Sequence, residues 1–296
     1  RVGSLIGLTF MTNTIDCFCS GEVSGNSFYT GGLIGRHYGS SNIYNCYSLV
    51  NVFSDSRPVG GLAGQNYSGS VISDCFSMGN VTRTGGTNTQ YGAFCGENDN
   101  STIQNCYSSG NVYYDGTSDP TDKGFVGNDD AGSYTANFFD SEASNQSTAT
   151  GATGKTTTEM KTLSTFTGAG WDFLGETANG TNDYWDMDQD GNVNSGYPFL
   201  AWQETAMSWT GSASSDWTVA GNWSGSLGAP ASSKNVTITD VSNDPVVLPV
   251  DTATCNNLTV QSGGSLVVQS DATGTGSLIV EGTAAGNITF QRYADV

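Results

Sequence analysis

Positive charge is scarce in this chain. Against 28 Asp and Glu stand 9 Lys and Arg and a single histidine, for a net charge of −19 over 296 residues. Nucleic acid and anionic membrane surfaces both call for clustered basic residues, so both are excluded as partners. Long apolar runs are missing as well, and nothing approaches the roughly 18 residues of a membrane-inserted helix. Amphipathic runs rich in Ala, Glu, Lys, Leu and Arg are also missing, which argues against extensive helix. Charged residues are only 12% of the chain. Short β-branched runs between Gly, Ser, Thr and Asn take their place, a composition of all-β secreted or surface proteins.

The seven cysteines are an odd number and contain no C-x-x-C pair. A paired disulfide framework and the usual zinc spacing are therefore both unsupported. Cys17-Phe18-Cys19 comes nearest and is too tight.

What is present is a repeat. Cys17-Phe18, Cys46-Tyr47, Cys75-Phe76 and Cys106-Tyr107 recur at nearly equal steps, and each is followed at the same offset by Val23, Val52, Val81 or Val112. Each copy follows a glycine-rich apolar box, best seen in Gly31-Gly32-Leu33-Ile34-Gly35 and Gly60-Gly61-Leu62-Ala63-Gly64. One such unit cannot bury its own apolar face and must stack on the next. The period, the short β runs and the polar turns predict a right-handed parallel β-solenoid of about five coils, roughly 24 Å tall at about 4.8 Å per coil. Gly124-Phe125-Val126-Gly127 opens a fifth copy, in which Phe138-Phe139 is expected at the Cys-aromatic place. In-register cysteines would stand about 4.8 Å apart with parallel Cβ vectors, too far for a bridge. They are expected to be buried free thiols that act as small hydrophobes. The aromatics beside them would form an outward stack, either covered by a turn or left open as a docking stripe.

Three regions follow from the pattern: solenoid repeats over 1–140, a loop, short helix and aromatic-rich cap over 141–207, and a second all-β module over 208–296. Thr156 to Leu163 carries the signature of a capped helix. Trp171, Trp185 and Gly196-Tyr197-Pro198-Phe199-Leu200 suit a cover for an open solenoid end. The short β runs of the last region are compatible with a narrower solenoid. The chain opens at Arg1 inside a repeat and is read as a segment of a longer protein, with an export signal and any catalytic domain expected outside it.

The Gly-Gly-Leu-Ile-Gly box, the Asn45-Cys46-Tyr47-Ser48 run and the trailing Gly79-Asn80-Val81 and Gly110-Asn111-Val112 resemble the GLUG-motif repeat of bacterial surface proteins. Gly154 to Met160, Trp171-Asp172-Phe173 and Gly196 to Leu200 resemble the segment that often closes such arrays. Residues 208–296 resemble the Trp-rich β modules of secreted surface proteins of the Bacteroidetes group. The resemblance implies an adhesin-like exported protein on the outer-membrane exterior, carried by a type 9 secretion system. Its expected partners are secretion or cell-surface machinery, other copies or domains of the same large protein, and glycans. GLUG repeats also occur in some IgA-specific metallopeptidases, but His37 is the only histidine, so a His-Glu-x-x-His zinc motif is impossible here.

Candidate chemistry is limited. Asp186, Asp188, Asp190 and Asn192 alternate ahead of and around Gly191 like the start of a calcium loop. The twelfth position is Tyr197 rather than Glu, and a solvated acidic turn is the competing reading. Any Ca²⁺ there would be structural, and no other cofactor is indicated. Trp209, Trp217 and Trp223 could stack on a sugar or could plug a domain junction. Acids are scattered and bases few, so no catalytic residues are assigned and the segment is expected not to be an enzyme. His37, beside Arg36, is expected in a turn at the surface. The expected role is structural or adhesive, extending or displaying other domains at the cell surface. The alternative is a carbohydrate-binding module, or an accessory region of a secreted polysaccharide-degrading enzyme.

Overall fold

A computed structural model describes residues 1–26, 28–188, 193–203, 206–224, 228–232 and 234–294. The chain is all-β and divides into two compact units, residues 1–171 and 172–296.

In the first unit, successive repeats stack in register as a parallel β-solenoid, with two walls that take one strand from each of five coils. One five-stranded wall runs Val126–Asp130, Cys95–Asp99, Ala63–Tyr67, Ile34–Tyr38 and Ile6–Phe10. A second runs Ser133–Thr135, Thr102–Gln104, Val71–Ser73, Asn42–Tyr44 and Asn13–Ile15. Register is kept from coil to coil, with Ile6, Ile34, Ala63, Cys95 and Val126 side by side. Like residues therefore stack on like. Leu33, Leu62, Phe94 and Phe125 form one fully buried column, and Ile43, Ile72 and Ile103 another.

The short strands Thr30–Gly31, Val59–Gly60 and Tyr91–Gly92 hold the glycine-rich corner. A Cβ on Gly64 would lie 2.4 Å from the Gly35 carbonyl oxygen and 2.8 Å from the Thr30 nitrogen. The box is glycine because two backbones pass there without room for a side chain.

The last coil is closed by the chain itself. Thr153–Lys155 pairs in parallel with Phe138–Asp140 as a partial further rung. The helix Thr157–Met160 follows with the expected capping box between Thr156 and Glu159. A second helix, Leu163–Thr167, brings the Phe166 ring within 5.4 Å of Phe138 and 4.8 Å of Trp171, edge-on and tilted respectively. Trp171 Nε1 donates to the Ala136 carbonyl at 2.9 Å. Met160, Phe166 and Trp171 are fully buried.

The second unit starts with an antiparallel pair, Trp185–Asp186 with Phe199–Leu200. Its main sheet runs Trp223–Ser224, Ala206–Trp209, Asn235–Ile238, Leu258–Val260 and Ala284–Ala285. All neighbours are parallel except the first pair. Val236 pairs with Leu258 and Val267 with Thr289, a shorter step along the chain than the one from Ile34 to Ala63 in the first unit. The shorter step makes this a second parallel coil of smaller girth than the first.

Candidate functional site

The repeat motifs meet at the corners of the coils. The residue before each cysteine has a left-handed backbone: Asp16, Asn45, Asp74 and Asn105 have φ of 50°, 54°, 50° and 50°. Asn and Asp tolerate this conformation better than other residues with a Cβ. In the fifth coil the same conformation falls on Ala136, at φ 52°. Tyr107 pairs with Phe138, which places Asn137, not Phe138, on the cysteine position. The alignment expected for that coil is therefore one residue out.

That shift changes what the cysteines do. The Cys46 thiol sulfur accepts the Cys17 N–H at 3.4 Å, and the Cys75 sulfur accepts the Cys46 N–H at 3.4 Å. In the last coil the Asn137 Oδ1 accepts the Cys106 N–H at 3.0 Å. Each thiol also donates back along its own coil, Cys75 to the Ser73 carbonyl at 3.0 Å and Cys106 to that of Gln104 at 3.0 Å. At the neighbouring corner a serine does the same: Ser70 Oγ accepts the Ser41 N–H at 3.3 Å and donates to the Tyr67 carbonyl at 2.8 Å. A third corner uses the trailing Asn, with Asn51 Oδ1 accepting from Asn80 N at 3.0 Å and Asn80 Oδ1 from Asn111 N at 2.9 Å. Buried backbone N–H groups at a corner need an acceptor, and these side chains supply it. The cysteines are free thiols, as expected, and Cys46, Cys75 and Cys106 of the ladder are buried while Cys17 is only partly so; they are hydrogen-bonding pieces and not only filler. Their hydrogen bonding and burial oppose ionisation: the Cys75 hydrogen bond and then burial hold the Cys46 thiol far above its usual range, and burial pushes Cys95 up to about 12.

Cys75→Ser keeps both an acceptor and a donor, whereas Cys75→Val keeps neither. We expect the valine variant to lose about 1–3 kcal/mol, the cost of an unsatisfied buried N–H. The serine variant should lose clearly less, as read from urea unfolding of the two proteins side by side.

The aromatic partners stack face to face. Phe18–Tyr47, Tyr47–Phe76 and Phe76–Tyr107 have centroids 5.0, 4.8 and 5.0 Å apart and planes within 9° of parallel. Phe76 and Tyr107 are fully buried and Tyr47 nearly so, whereas Phe18 in the first coil is 51% exposed, so the stack is covered except at that end.

His37 is not a surface residue. It is fully buried in Ile34–Tyr38, in register with Thr9 and Asn66. Asn98 continues the same row. His37 Nδ1 and Thr9 Oγ1 are 2.7 Å apart, while Nε2 has no hydrogen-bond partner. Burial lowers its pKa to about 4, against smaller opposing effects of the Ser41 and Val71 backbones. The sign follows from linkage: the unfolded chain takes up the proton near pH 6.5 and the folded one only near pH 4. Stability is then fully present above pH 6.5 and falls by about 3 kcal/mol as pH drops to 4. His37→Asn, which places an Asn where coils three and four already have one, should remove that share of the pH dependence in melts recorded between pH 4 and 7.

Trp209, Trp217 and Trp223 are also inside, at 1%, 1% and 6% exposure. Trp217 and Trp223 meet edge-on at 4.7 Å, as do Trp209 and Trp223 at 4.9 Å. Trp209 Nε1 donates to the Asn243 carbonyl at 2.6 Å and Trp223 Nε1 to that of Trp217 at 2.8 Å. They form the core of the second unit and present no stacking platform.

Of the candidate calcium loop, Asp190 and Asn192 lie outside the described residues. Asp186 is fully buried, and its Oδ1 accepts the Met187 N–H at 2.8 Å. Its Oδ2 stands 3.8 Å from Lys234 Nζ, which is itself 2% exposed and donates to the Ala201 carbonyl at 2.8 Å. Asp188 Oδ2 accepts the Val193 N–H at 2.8 Å. Among the described residues, no three His, Cys, Asp or Glu side chains are grouped to hold a metal ion. Nothing in the motif pointed to Lys234, far along the chain from Asp186, as its partner.

Among the described residues, the open depressions on the first unit include two that border the coil corners. One of about 490 Å³ is lined by Tyr134 to Phe138, Gly151 to Thr153 and Ala169, with no charged side chain. The other, of about 220 Å³, lies at the glycine corner and contains Phe28, Tyr29, Arg57, Pro58, Gln90 and Glu97.

The stacked corners define a class, the parallel β-solenoid built from glycine-boxed coils. Within that class, the GLUG motif matches residues 26–52 and 87–113. The chain thus carries GLUG repeats, and the coils beginning at Val2 and Val59, with the one that carries Val126, continue the same register around them. Residues 208–296 match a domain of unknown function (DUF8693). No curated protein and no solved structure matches the chain.

Proposed function

We propose that this chain is a structural and adhesive segment of a large exported bacterial cell-surface protein, and that it catalyses no reaction. One observation carries this reading: the residues that could have been chemical are committed to the scaffold. Thiols close the corners, His37 fills an inner row, and the tryptophans pack the second core. A GLUG solenoid of this kind suits display of neighbouring domains and attachment through its walls. Secretion machinery and other parts of the same protein are its partners, and its place is outside the cell. Calcium in the loop of Asp186, Asp188, Asp190 and Asn192 would be structural. A melting temperature that falls with EDTA and recovers with Ca²⁺ would support it.

The surface role is tested on intact cells of the source organism. Antibody against the chain should label them without permeabilisation, and removal of the gene should reduce attachment. Deletion of residues 59–90 joins Pro58 to Tyr91 in register and removes one coil. Attachment should survive that deletion. Label found only after lysis, or attachment unchanged without the gene, would sink the proposal.

A further inference from the structure

The strands Thr30–Gly31, Val59–Gly60 and Tyr91–Gly92 stack in register, so the residues just before them stand one above another. Thr30 N donates to the Pro58 carbonyl at 3.1 Å and Val59 N to that of Gln90 at 2.9 Å. The 220 Å³ depression lies on this column.

Its charge is unusual for the chain. Among the described residues, Arg36 is held over the rings of Tyr29, Tyr38 and Tyr67 and donates to Gln65 at 2.7 Å. Arg83 is buried over Tyr114, and Lys123 and Lys155 have ion-pair partners. Arg57 is exposed and, among the described residues, has no carboxylate within ion-pair distance. Among the described residues Arg1 and Arg292 have no ion pair either, so what sets Arg57 apart is its place in the depression, beside Phe28, Gln90 and Glu97. Beside it Phe28 is 58% exposed, its ring centroid 6.1 Å from that of Tyr29.

Glu97 is already fixed. Gln65, Asn128 and Gln90 donate amide hydrogens to its carboxylate at 2.6, 3.0 and 3.4 Å. The depression therefore combines a bare aromatic face, a free guanidinium and a held carboxylate beside an amide.

We propose that this corner binds a carboxylate-bearing pyranose, a uronic acid unit of a polysaccharide. The ring's C–H face lies on Phe28. The carboxylate meets the guanidinium of Arg57, whose parallel N–H groups match it two to two. Hydroxyls donate to Glu97 and exchange hydrogen bonds with Gln90. A volume of 220 Å³ suits one sugar ring, so a longer chain runs out over the wall on both sides. A peptide carboxylate would use Arg57 but would leave the aromatic face and the hydroxyl acceptors unused. The site is a property of the folded chain and does not depend on where the protein is located.

Calorimetric titration of the whole chain with trigalacturonate tests this, with galactotriose as its uncharged counterpart and triglutamate as the peptide control. Saturable binding of trigalacturonate is expected, with both controls at least tenfold weaker. Arg57→Ala and Phe28→Ala should each weaken it by about tenfold or more, and Arg57→Lys by less. Both side chains are exposed, so the variants should melt with the wild type, which separates lost binding from lost folding. No saturable binding of trigalacturonate, equal binding of either control, or undiminished binding by the two alanine variants would overturn the proposal.

Discussion

Gly64→Ala should leave no folded solenoid. The added Cβ would stand 2.4 Å from the Gly35 carbonyl oxygen and 2.8 and 2.9 Å from the Thr30 nitrogen and oxygen. All three are backbone atoms of the preceding coil, so no side chain can turn aside. Relief would require the coils to part, which would break the bonds from Thr30 N to Pro58 O and from Leu33 N to Leu62 O, now 3.1 and 2.8 Å. Losses above about 4 kcal/mol arise from this kind of overpacking against fixed backbone. The last glycine of the box is also the position kept in all five coils, as Gly7, Gly35, Gly64, Gly96 and Gly127. Gly69→Ala is the matched control. Gly69 has φ of +73° and its Cβ would meet only Ser40 Oγ, at 3.5 Å, so the cost should be about 1–2 kcal/mol of left-handed strain. Far-ultraviolet circular dichroism and urea unfolding separate the two. A cooperative, native-like transition for Gly64→Ala would refute the close-approach account of the motif.

The second large effect belongs to the other unit. Lys234→Met removes the cation facing Asp186 and leaves a carboxylate with no exposure beside an apolar side chain. Breaking a buried pair on one side costs about 3–5 kcal/mol, because the remaining charge keeps its desolvation penalty without the opposite charge. The double variant Asp186→Asn with Lys234→Met should recover most of that loss. Replacing the pair by neutral groups removes attraction and desolvation cost together. Tryptophan fluorescence follows this unit, since Trp185, Trp209, Trp217 and Trp223 are buried within it. If the single and double variants unfold at the same urea concentration, Asp186 does not carry an uncompensated charge in the single variant.

Much of the fold is legible in the sequence, and the reason is geometric. A coil must turn the same corners on every circuit, so the constraints recur at one period: glycine where backbones touch, Asn or Asp where φ is positive, an acceptor where an N–H would be stranded. Five coils and free thiols follow from that recurrence, while the helix after Thr156 is legible separately, from its capping box with Glu159. The single-residue register of the fifth coil does not, because Phe138 and Phe139 offer two aromatics for one place. The left-handed Ala136 and the acceptor Asn137 decide it.

His37 misled for a related reason. A lone imidazole beside Arg36 looks solvent-facing, yet alternation along the strand turns Arg36 outward and His37 inward. Comparing it with Thr9, Asn66 and Asn98, its equivalents in other coils, would have shown a buried polar row. The tryptophans are different. Rings that plug a core and rings that stack on sugar have the same sequence signature, and only their burial, with the Nε1 partners of Trp209 and Trp223, distinguishes them. Arg57 likewise looks like any surface cation until the other cations of the inner coils are found to be engaged.

The girth of the first unit has a consequence for reach. Each circuit of the chain, such as that from Ile34 to Ala63, advances the stack by one strand spacing, about 4.8 Å. The same stretch wound as an α-helix would advance roughly nine times as far, at about 1.5 Å for every residue. A segment built this way gains little length from its chain and instead gains broad walls on which equivalent positions recur at a fixed short interval. Such a wall resembles a ruled surface more than a mast. One outward residue can be changed on one line without disturbing the lines beside it, so different rows of a single wall can come to meet different partners.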